Sequence, residues 1–387
     1  MIDISMEEYQ RVFGKPYTKK YICPARVNLI GEHIDYNGGK VLPAAISLYI
    51  YAYVRKNDNK EIRLYSGGFS NDIEIYDLDH ISYKPEQGWT NYPLGMFHTL
   101  MGKGYKIDKG LDIYFISNIP PASGLSSSAA MLDLVGYILS KEFNLNLSMK
   151  EIALLAQYAE NNFNGLACGI MDQAAIALGK KDHAVLIDTS NFSYEYKPIK
   201  LKDYTFVVLS TNKHRLLTES KYNERVDECN KALNILKKHY NINNLCELRS
   251  TELDNINKLL NDDLLFRRVR HLITENERVQ AFIKYLAIGD EANLGRILNE
   301  SDNSLREDYE VTGLHLDTIT RISRSHPACL GARMTGAGFG GCGIALVKKN
   351  VIADFIKFVT DGYLETTGIK PDILNVDITS GVGEANE

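Results

Sequence analysis

The sequence has few of the features that would place it outside the ordinary globular proteins. Its six cysteines are scattered and form no Cys-x-x-Cys pair, which argues against a zinc knuckle and against a disulfide framework. No hydrophobic run approaches the ~18 residues of a membrane span. The polar and acidic start of the chain does not resemble a secretory signal. Free thiols are typical of a reducing compartment, so we expect a cytoplasmic protein.

An excess of one charge is also missing. The net charge is −5, with 44 Lys and Arg against 49 Asp and Glu, so the chain lacks the basic excess typical of nucleic-acid binding. Hydrophobic residues make up 44% of the 387 positions, which is enough for a sizeable core. There is no proline- or serine-rich linker, no low-complexity tract and no obvious repeat. We therefore expect a globular protein of about two domains, with neither a nucleic-acid nor a membrane partner.

Hydrophobic patterning predicts strands beside runs of helices. Alternating β-branched or aromatic residues predict strands at 48–56, 61–66, 72–78, 111–117, 183–189, 204–211, 343–348 and 371–378. Helices are predicted at 126–143, at 148–163 with a capping box of Ser148 and Glu151, over most of 216–325, and at 351–366. This order indicates an α+β architecture in two lobes, which we assign to 1–190 and 191–387.

A phosphate-binding loop is predicted between the strand at 111–117 and the helix at 126–143. The connecting segment reads Ile119-Pro-Pro-Ala-Ser-Gly-Leu-Ser-Ser-Ser-Ala-Ala. Such a junction presents free backbone N–H groups and the positive end of a helix dipole, and both favour a polyanion such as a triphosphate. The serine hydroxyls can add hydrogen bonds or a Mg²⁺ ligand. The chain has no Gly-x-x-x-x-Gly-Lys-[Ser/Thr] P-loop, and a serine-capped helix without a ligand is the alternative.

A second segment, residues 24–39, is dense in polar side chains around its glycines. These side chains are Arg26, Asn28, Glu32, His33, Asp35 and Asn37. They suit recognition of several hydroxyls on a sugar, because carboxylates and imidazoles accept or donate in defined directions. The alternatives are a polar surface loop and a metal site. The metal site is disfavoured because the acidic residues and the histidine lack the i, i+4 spacing of a zinc site.

Two glycine-rich segments complete the candidates. Asp172 follows a glycine-rich turn and is surrounded by apolar residues, so it is a candidate base or Mg²⁺ partner. Its alternative role is to cap a helix predicted at 173–178. The segment 331–343 has five glycines in eight residues, which let the backbone pass close to a ligand. The alternative is a tight bend that links a helix to a strand.

In this order and spacing, the four segments resemble the GHMP small-molecule kinases, and within them the galactokinase family. Arg26-Val-Asn-Leu-Ile-Gly-Glu-His-Ile-Asp-Tyr resembles the galactokinase signature, and Gly124-Leu-Ser-Ser-Ser-Ala resembles the superfamily's phosphate loop. Two further segments resemble the remaining two conserved blocks of the superfamily. They are Gly169-Ile-Met-Asp-Gln and Arg333-Met-Thr-Gly-Ala-Gly-Phe-Gly-Gly-Cys. Weaker similarity lies in Trp89-Thr-Asn-Tyr, in Ser220-Lys-Tyr-Asn-Glu-Arg with Cys229, and in Leu305-Arg-Glu-Asp-Tyr-Glu-Val.

The resemblance covers nearly the whole chain and implies two lobes with the active site in the cleft between them. It implies Asp172 and Arg26 as the catalytic pair, and Ser128 and Glu160 as Mg²⁺ ligands. The sugar hydroxyls would be held by Glu32, His33, Asp35, Asp172 and Tyr222. The phosphate loop would comprise Gly124, Leu125, Ser126, Ser127 and Ser128, with Trp89 as the aromatic on the adenine side.

The implied reaction is ATP-dependent phosphorylation of the C1 hydroxyl of D-galactose by a monomer, with Mg²⁺ and with ATP as co-substrate. Two alternatives stay open. One is a related sugar 1-kinase for N-acetylgalactosamine, arabinose or another pyranose, and the other is a non-catalytic galactose and ATP sensor. The sequence departs from the family pattern at Ala122 and Ser123, where glycine is usual, at Ile34 and at Leu94. The two loop substitutions predict a changed loop path or weaker ATP binding, because a Cβ is costly where φ is positive.

Overall fold

The computed structural model describes residues 4–121, 123–213 and 218–385, with side chains of the helix that begins at Thr218 described from residue 221. Ala122 therefore lies outside the described residues. The helices are α1 Met6–Phe13, α2 Asn91–Gly102, α3 Ser127–Glu142, α4 Met149–Asn162, α5 Met171–Ala177, α6 Thr218–Leu236, α7 Leu253–Leu260, α8 Asp263–Ile288, α9 Glu291–Ser304, α10 Gly313–Ser325 and α11 Ile352–Thr367.

The strands of the described chain form three sheets. Their bounds are β1 Lys19–Asn28, β2 Lys40–Val41, β3 Pro43–Lys56, β4 Glu61–Ser66, β5 Glu74–Asp77, β6 Leu111–Ser117, β7 His183–Asp188, β8 Ser193–Pro198, β9 Tyr204–Ser210, β10 Cys329–Met334, β11 Cys342–Lys348, β12 Asp372–Asn375 and β13 Gly383–Glu384. One sheet has the order β13-β1-β3-β6-β4-β5, one has β10-β11-β9-β12, and one has β2-β7-β8. The α+β prediction is confirmed.

The long strand β3 is buried on both faces. Because successive side chains of a strand point to opposite faces, Ile50, Ala52 and Val54 enter the main core with helices α2 to α5. Tyr51 and Tyr53 enter a separate cluster with Tyr9 and Phe13 of α1. The sheet is therefore covered on both sides, and β3 positions its neighbour β1 by antiparallel pairing from Lys19 opposite Val54 to Asn28 opposite Pro43.

The second sheet separates two cores in the same way. Val208 on β9 and Ile344 and Leu346 on β11 pack into the main core. The alternate residues Val207 and Val347 pack into a smaller core with helices α10 and α11. No helix within the described ranges is both long and apolar enough to cross a bilayer.

The structure corrects three details of the sequence interpretation. The helix predicted at 173–178 begins earlier, at Met171, so Asp172 lies in its first turn. The glycine-rich segment does not link a helix to a strand, because it connects strand β10 to strand β11. Strand β1 and helices α1 and α2 were not predicted, and β1 is the strand that carries Arg26.

The end of the described chain returns to the first sheet. Strand β13 pairs antiparallel with β1, with Tyr21 opposite Glu384 and Ile22 opposite Gly383. The main core includes residues from before and after position 190. The division into lobes at 1–190 and 191–387 stays a prediction.

Candidate active site

Arg26 and Asp172 form the centre of the candidate site. Strand β1 has a bulge between Pro24 and Ala25, directly before Arg26, whose side chain is 3% exposed. The guanidinium donates from Nε to Oδ1 and from Nη2 to Oδ2 of Asp172, both at 2.8 Å. Two parallel charge-assisted bonds fix the carboxylate's orientation. The N-cap position of α5 is occupied by Ile170, so the alternative role of Asp172 as the N-cap is wrong.

The predicted phosphate loop is attached to the same arginine. Arg26 donates from Nη1 to the Gly124 carbonyl at 3.0 Å and from its backbone N–H to the Leu125 carbonyl at 3.3 Å. Ser126 precedes α3 in the left-handed region, with φ +61°. Its hydroxyl does not cap the helix and instead donates to Oδ2 of Asp172. The N–H groups of the first turn, beginning at Ser127, have no partner inside the helix, so the loop has donors available for an anion.

The two predicted metal ligands lie together. Glu160, in the last turn of α4, is buried and accepts hydrogen bonds from Ser128 and Gln173. Burial raises the pKa of Glu160 to about 7, with a further increase from the charge of Asp172, although the Ser128 hydrogen bond opposes the shift. Crowding of carboxyl groups at this place is what a divalent cation would relieve.

The pair of one hydroxyl and one carboxylate is too small to hold a metal ion by itself, but it suits Mg²⁺, which takes few ligands from the protein. Mg²⁺ usually takes one or two carboxylates and completes its shell with water and phosphate oxygens. Among the residues that the structure describes, no group of three or more His, Cys, Asp or Glu side chains is arranged to hold a metal. The donor set of Ser128 and Glu160 thus fits an ion that is shared with a triphosphate.

Asp35 lies beside the turn that leads to Asp172. A Cβ atom on Gly169 would stand 1.9 Å from Oδ2 of Asp35, so glycine is required there for the two segments to meet. Burial raises the pKa of Asp35 to about 7, and the charge of Asp172 adds to this effect. Asp35 is therefore electrostatically coupled to the central carboxylate.

His33 and Tyr222 are brought together from distant parts of the chain. Their ring centroids are 5.6 Å apart, and Tyr36 lies 5.3 Å from Tyr222. His33 adopts the left-handed region, with φ +63°, which is uncommon outside glycine. Burial lowers the pKa of His33 to about 3, and the nearby His271 lowers it further, so the ring is neutral.

Glu32 is placed differently from the other predicted sugar contacts. It is fully buried, it forms an ion pair with the equally buried Arg333, and its Oε1 accepts from the Gly336 N–H at 3.2 Å. A Cβ on Gly336 would lie 3.0 Å from the Gly124 carbonyl and 3.3 Å from Nη2 of Arg26. Glu32 thus contacts the turn that packs on the phosphate loop, and its direct contact with a sugar stays a prediction.

Trp89 lies in the 3₁₀ segment Pro85–Thr90 that precedes α2. Its ring packs edge-on against Phe115, with the centroids 5.8 Å apart. Phe115 belongs to β6, the strand that leads into the phosphate loop.

Three of the departures from the family pattern, Ile34, Leu94 and Ser123, are buried.

Several residues around the site were not assigned a role from the sequence. Gln173 follows Asp172 in the motif Gly169-Ile-Met-Asp-Gln, and this position is the sequence signal that it lies near the site. Tyr309, Cys229 and Arg333 also lie in recognised segments, but nothing local indicates which side chains they meet. Gln173 contacts Glu160 across the short connection between α4 and α5. The other contacts join segments that are far apart in the sequence, and these are Tyr309 with Tyr36 and Cys229, and Arg333 with Glu32.

Models of protein families match three parts of the chain. The galactokinase galactose-binding signature matches residues 7–56. The GHMP kinases N terminal domain matches residues 91–180, and the GHMP kinases C terminal domain matches residues 282–362. The phosphate loop and Asp172 lie in the second match, and Arg26 lies in the first.

Relatives match the chain from end to end. Galactokinase from Enterococcus faecalis is 44% identical over 382 residues, covering 98% of this chain and 99% of the relative. Galactokinase from Clostridium perfringens is 45% identical and covers 96% of each chain. The crystal structure of Lactococcus lactis galactokinase complexed with galactose is 42% identical, covers 98% of both chains and has a TM-score of 0.95. Mevalonate kinase from Methanococcus jannaschii, at 21% identity and a TM-score of 0.68, shares the fold.

Proposed function

This chain belongs to the galactokinase family of the GHMP kinases, and from that premise we propose that it transfers the γ-phosphoryl group of ATP to the C1 hydroxyl of D-galactose. The observation that carries the proposal is the paired Arg26 and Asp172 side chains, which lie directly against the predicted phosphate loop. Phosphoryl transfer needs little covalent chemistry from the protein, so positioning and charge stabilisation account for most of the catalysis.

In this proposal Asp172 is the general base. It accepts the proton of the C1 hydroxyl while that oxygen attacks the γ-phosphorus. The guanidinium of Arg26 has two functions, because it orients the Asp172 carboxylate and neutralises negative charge on the transferring group. The hydrogen bond from Ser126 fixes the second oxygen of the same carboxylate.

ATP and sugar would occupy opposite sides of this pair. The backbone N–H groups of the loop formed by Gly124, Leu125, Ser126, Ser127 and Ser128 suit the phosphates, and Trp89 would face the adenine. His33, Asp35, Tyr222 and Glu32 would bind or orient the galactose hydroxyls. Ser128 and Glu160 would hold Mg²⁺, which when bound would neutralise charge on the phosphate oxygens.

Substitution of the base gives the direct test. Asp172→Asn keeps the shape of the side chain but cannot take the proton, so we expect kcat to fall by about 10²–10⁴-fold, with galactose binding by calorimetry nearly unchanged. Asp79→Asn, which breaks an exposed ion pair with Lys60, is the control and should keep the native kcat. Native turnover by the Asp172 variant would show that the base is misassigned.

A panel of sugars separates this function from its alternatives. We expect ADP release from ATP to depend on galactose and to be much slower with N-acetylgalactosamine or arabinose. Release with one of those sugars alone would indicate a related sugar 1-kinase. Binding of galactose and ATP without any ADP release would indicate a sensor.

The proposal includes a cytoplasmic monomer. All six cysteines are free of disulfides, which suits a reducing compartment. Light scattering during size-exclusion chromatography should give a mass near 43.6 kDa. A mass of twice that value would contradict the monomer.

A further inference from the structure

A chain of buried and partly buried hydrogen bonds leads from His33 away from the candidate site. The His33 Nδ1 atom lies 2.9 Å from the Tyr36 hydroxyl, which lies 2.8 Å from the Tyr309 hydroxyl. The Tyr309 hydroxyl in turn lies 3.2 Å from the Cys229 thiol. On the other edge of the ring, Nε2 lies 3.2 Å from the Ala337 carbonyl.

The direction of every bond in this chain follows from counting hydrogens. A carbonyl oxygen only accepts, so Nε2 of His33 must carry the proton that is shared with Ala337. His33 is neutral at ordinary pH, because burial lowers its pKa to about 3. A neutral imidazole has one N–H, so Nδ1 must accept a hydrogen bond from Tyr36.

The remaining bonds are then fixed as well. Tyr36 has used its only hydrogen on His33, so it must accept from Tyr309. Tyr309 has then used its own hydrogen, so it must accept from the Cys229 thiol. Burial supports this order, because Tyr309 and Cys229 are nearly inaccessible to water, which would otherwise be an alternative hydrogen-bond donor.

Packing holds the chain in place. The ring of Tyr309 packs against two imidazoles, with its centroid 4.9 Å from that of His33 and 4.6 Å from that of His271. The Tyr309 backbone carbonyl accepts from the buried Arg225 at 2.8 Å. Tyr309 therefore has little freedom to turn its hydroxyl elsewhere.

We propose that Tyr36, Tyr309 and Cys229 are positioning residues that hold His33 as the Nε2–H tautomer, so that its imidazole donates to the Ala337 carbonyl and fixes the glycine-rich turn beside the proposed sugar site. The Nε2–H faces Ala337, in the same glycine-rich turn whose Gly336 packs on Arg26. The other tautomer would place a lone pair against the Ala337 carbonyl, so it would release the turn and weaken galactose binding. The functional part of this proposal rests on the proposed galactose kinase activity, whereas the tautomer does not.

The tautomer is measured first, on the native protein without ligand. Long-range ¹⁵N–¹H correlation spectra of the imidazoles distinguish a protonated Nε2 from a protonated Nδ1, and the resonance missing in His33→Ala identifies the residue. We expect a single Nε2–H form between pH 6 and pH 8. An Nδ1–H form or an imidazolium in that range would overturn the proposal without affecting the kinase assignment.

Variants then test the effect on the sugar. Tyr36→Phe removes the donor to Nδ1, so we expect a mixture of tautomers and a galactose KM that rises about five- to tenfold, with kcat within twofold of native. Tyr309→Phe should raise the KM less, because Tyr36 keeps its bond to His33. Cys229→Ser keeps a hydrogen-bond donor to Tyr309, so its galactose KM and its His33 tautomer should be closer to the native ones than those of Cys229→Ala.

The matched control is Tyr363→Phe, which removes another buried hydroxyl, one that donates to the Thr211 carbonyl in the smaller core. It should lower stability without changing the KM or the His33 spectrum. If Tyr36→Phe alters the tautomer but leaves the KM unchanged, the role in sugar recognition is wrong. If no variant phosphorylates galactose and the native protein does not either, the kinase proposal fails while the tautomer result stands by itself.

Discussion

Arg26 and Asp172 share two parallel hydrogen bonds of 2.8 Å, so that one rigid fork holds both oxygens of one carboxylate. The arginine is almost fully buried, while the aspartate side chain keeps 32% of its surface exposed. Arg26 is thus the buried member of the pair, and Asp172 is the member that solvent can reach. An incoming substrate would meet the carboxylate first.

Arg26→Lys tests the fork itself. Lysine keeps the positive charge but offers a single point of contact, so the Asp172 orientation and the bond to the Gly124 carbonyl would both be lost. We expect kcat to fall by about 100-fold, with galactose affinity changed by less than about threefold. Steady-state kinetics and calorimetry measure the two quantities.

The control for that variant is Arg63→Lys, on β4, where the contact with Asp112 is long at 3.4 Å. It should keep native kinetics. Equal kcat values for Arg26→Lys and the native protein would show that charge alone is sufficient.

Gly169→Ala tests the close approach of the Asp35 side chain. The added Cβ would occupy the position of the carboxylate oxygen, so Asp35 would have to move. We expect the galactose KM to rise by about 10- to 100-fold. Gly102→Ala, where a Cβ would meet nothing within 4 Å, is the matched control. An unchanged KM for Gly169→Ala would remove Asp35 from the sugar site.

Glu160→Gln tests the metal pair. The amide keeps the hydrogen-bonding shape but loses the charge that attracts a divalent cation, so the Mg²⁺ concentration for half-maximal rate should rise by about 10- to 100-fold. Removal of Mg²⁺ with a chelator should abolish turnover of the native protein. Glu142→Gln, another buried glutamate at the far end of α3, should keep the native Mg²⁺ requirement. An identical Mg²⁺ titration for Glu160→Gln would contradict the assignment.

Asp133 on α3 is fully buried, and neither carboxyl oxygen has a hydrogen-bond partner among the residues that the structure describes. Burial raises its pKa well above the ordinary value of 3.8, and the charges of Glu160 and Asp172 add to the shift. Above pH 4 the folded protein therefore binds a proton that the unfolded chain releases. The free energy of unfolding should fall as the pH rises toward the folded-state pKa.

Asp133→Val removes both unpartnered oxygens. We expect the free energy of unfolding to rise by about 1–3 kcal/mol, with a larger gain at pH 8 than at pH 5, as measured by urea unfolding. Asp133→Asn removes only the titration, so it should flatten the pH dependence with a smaller gain. The same gain at both pH values for Asp133→Val would show that this carboxyl does not titrate abnormally.

Local patterns predicted those parts of the fold that depend on neighbours in the sequence. Strands β4 and β6 have the predicted bounds, with regular alternation of burial along β4, and the capping box of α4 is present. Strand β1 was not predicted, because its second half is buried on both faces and shows no alternation. Its polar residues Arg26 and Asn28 look like loop residues until the strand that carries them is known.

The candidate site was predictable as a set of residues but not as an arrangement. Segment motifs identified Arg26 and Asp172, and nothing local placed their side chains 2.8 Å apart. The same is true of Glu32, which lies against an arginine from the other half of the chain. Such pairs depend on tertiary packing between segments that are about 150 and 300 residues apart, where periodicity carries no information.

In the described part of the chain, strand β13 covers the outer edge of β1 at Tyr21 and Ile22, and the Ala385 N–H donates to the Lys20 carbonyl at 2.9 Å. That edge would otherwise present unpaired N–H and C=O groups to other molecules. Loss of this short segment would leave the strand that holds Arg26 open to self-association. Protein engineers who shorten the chain here should therefore expect aggregation before any change in chemistry.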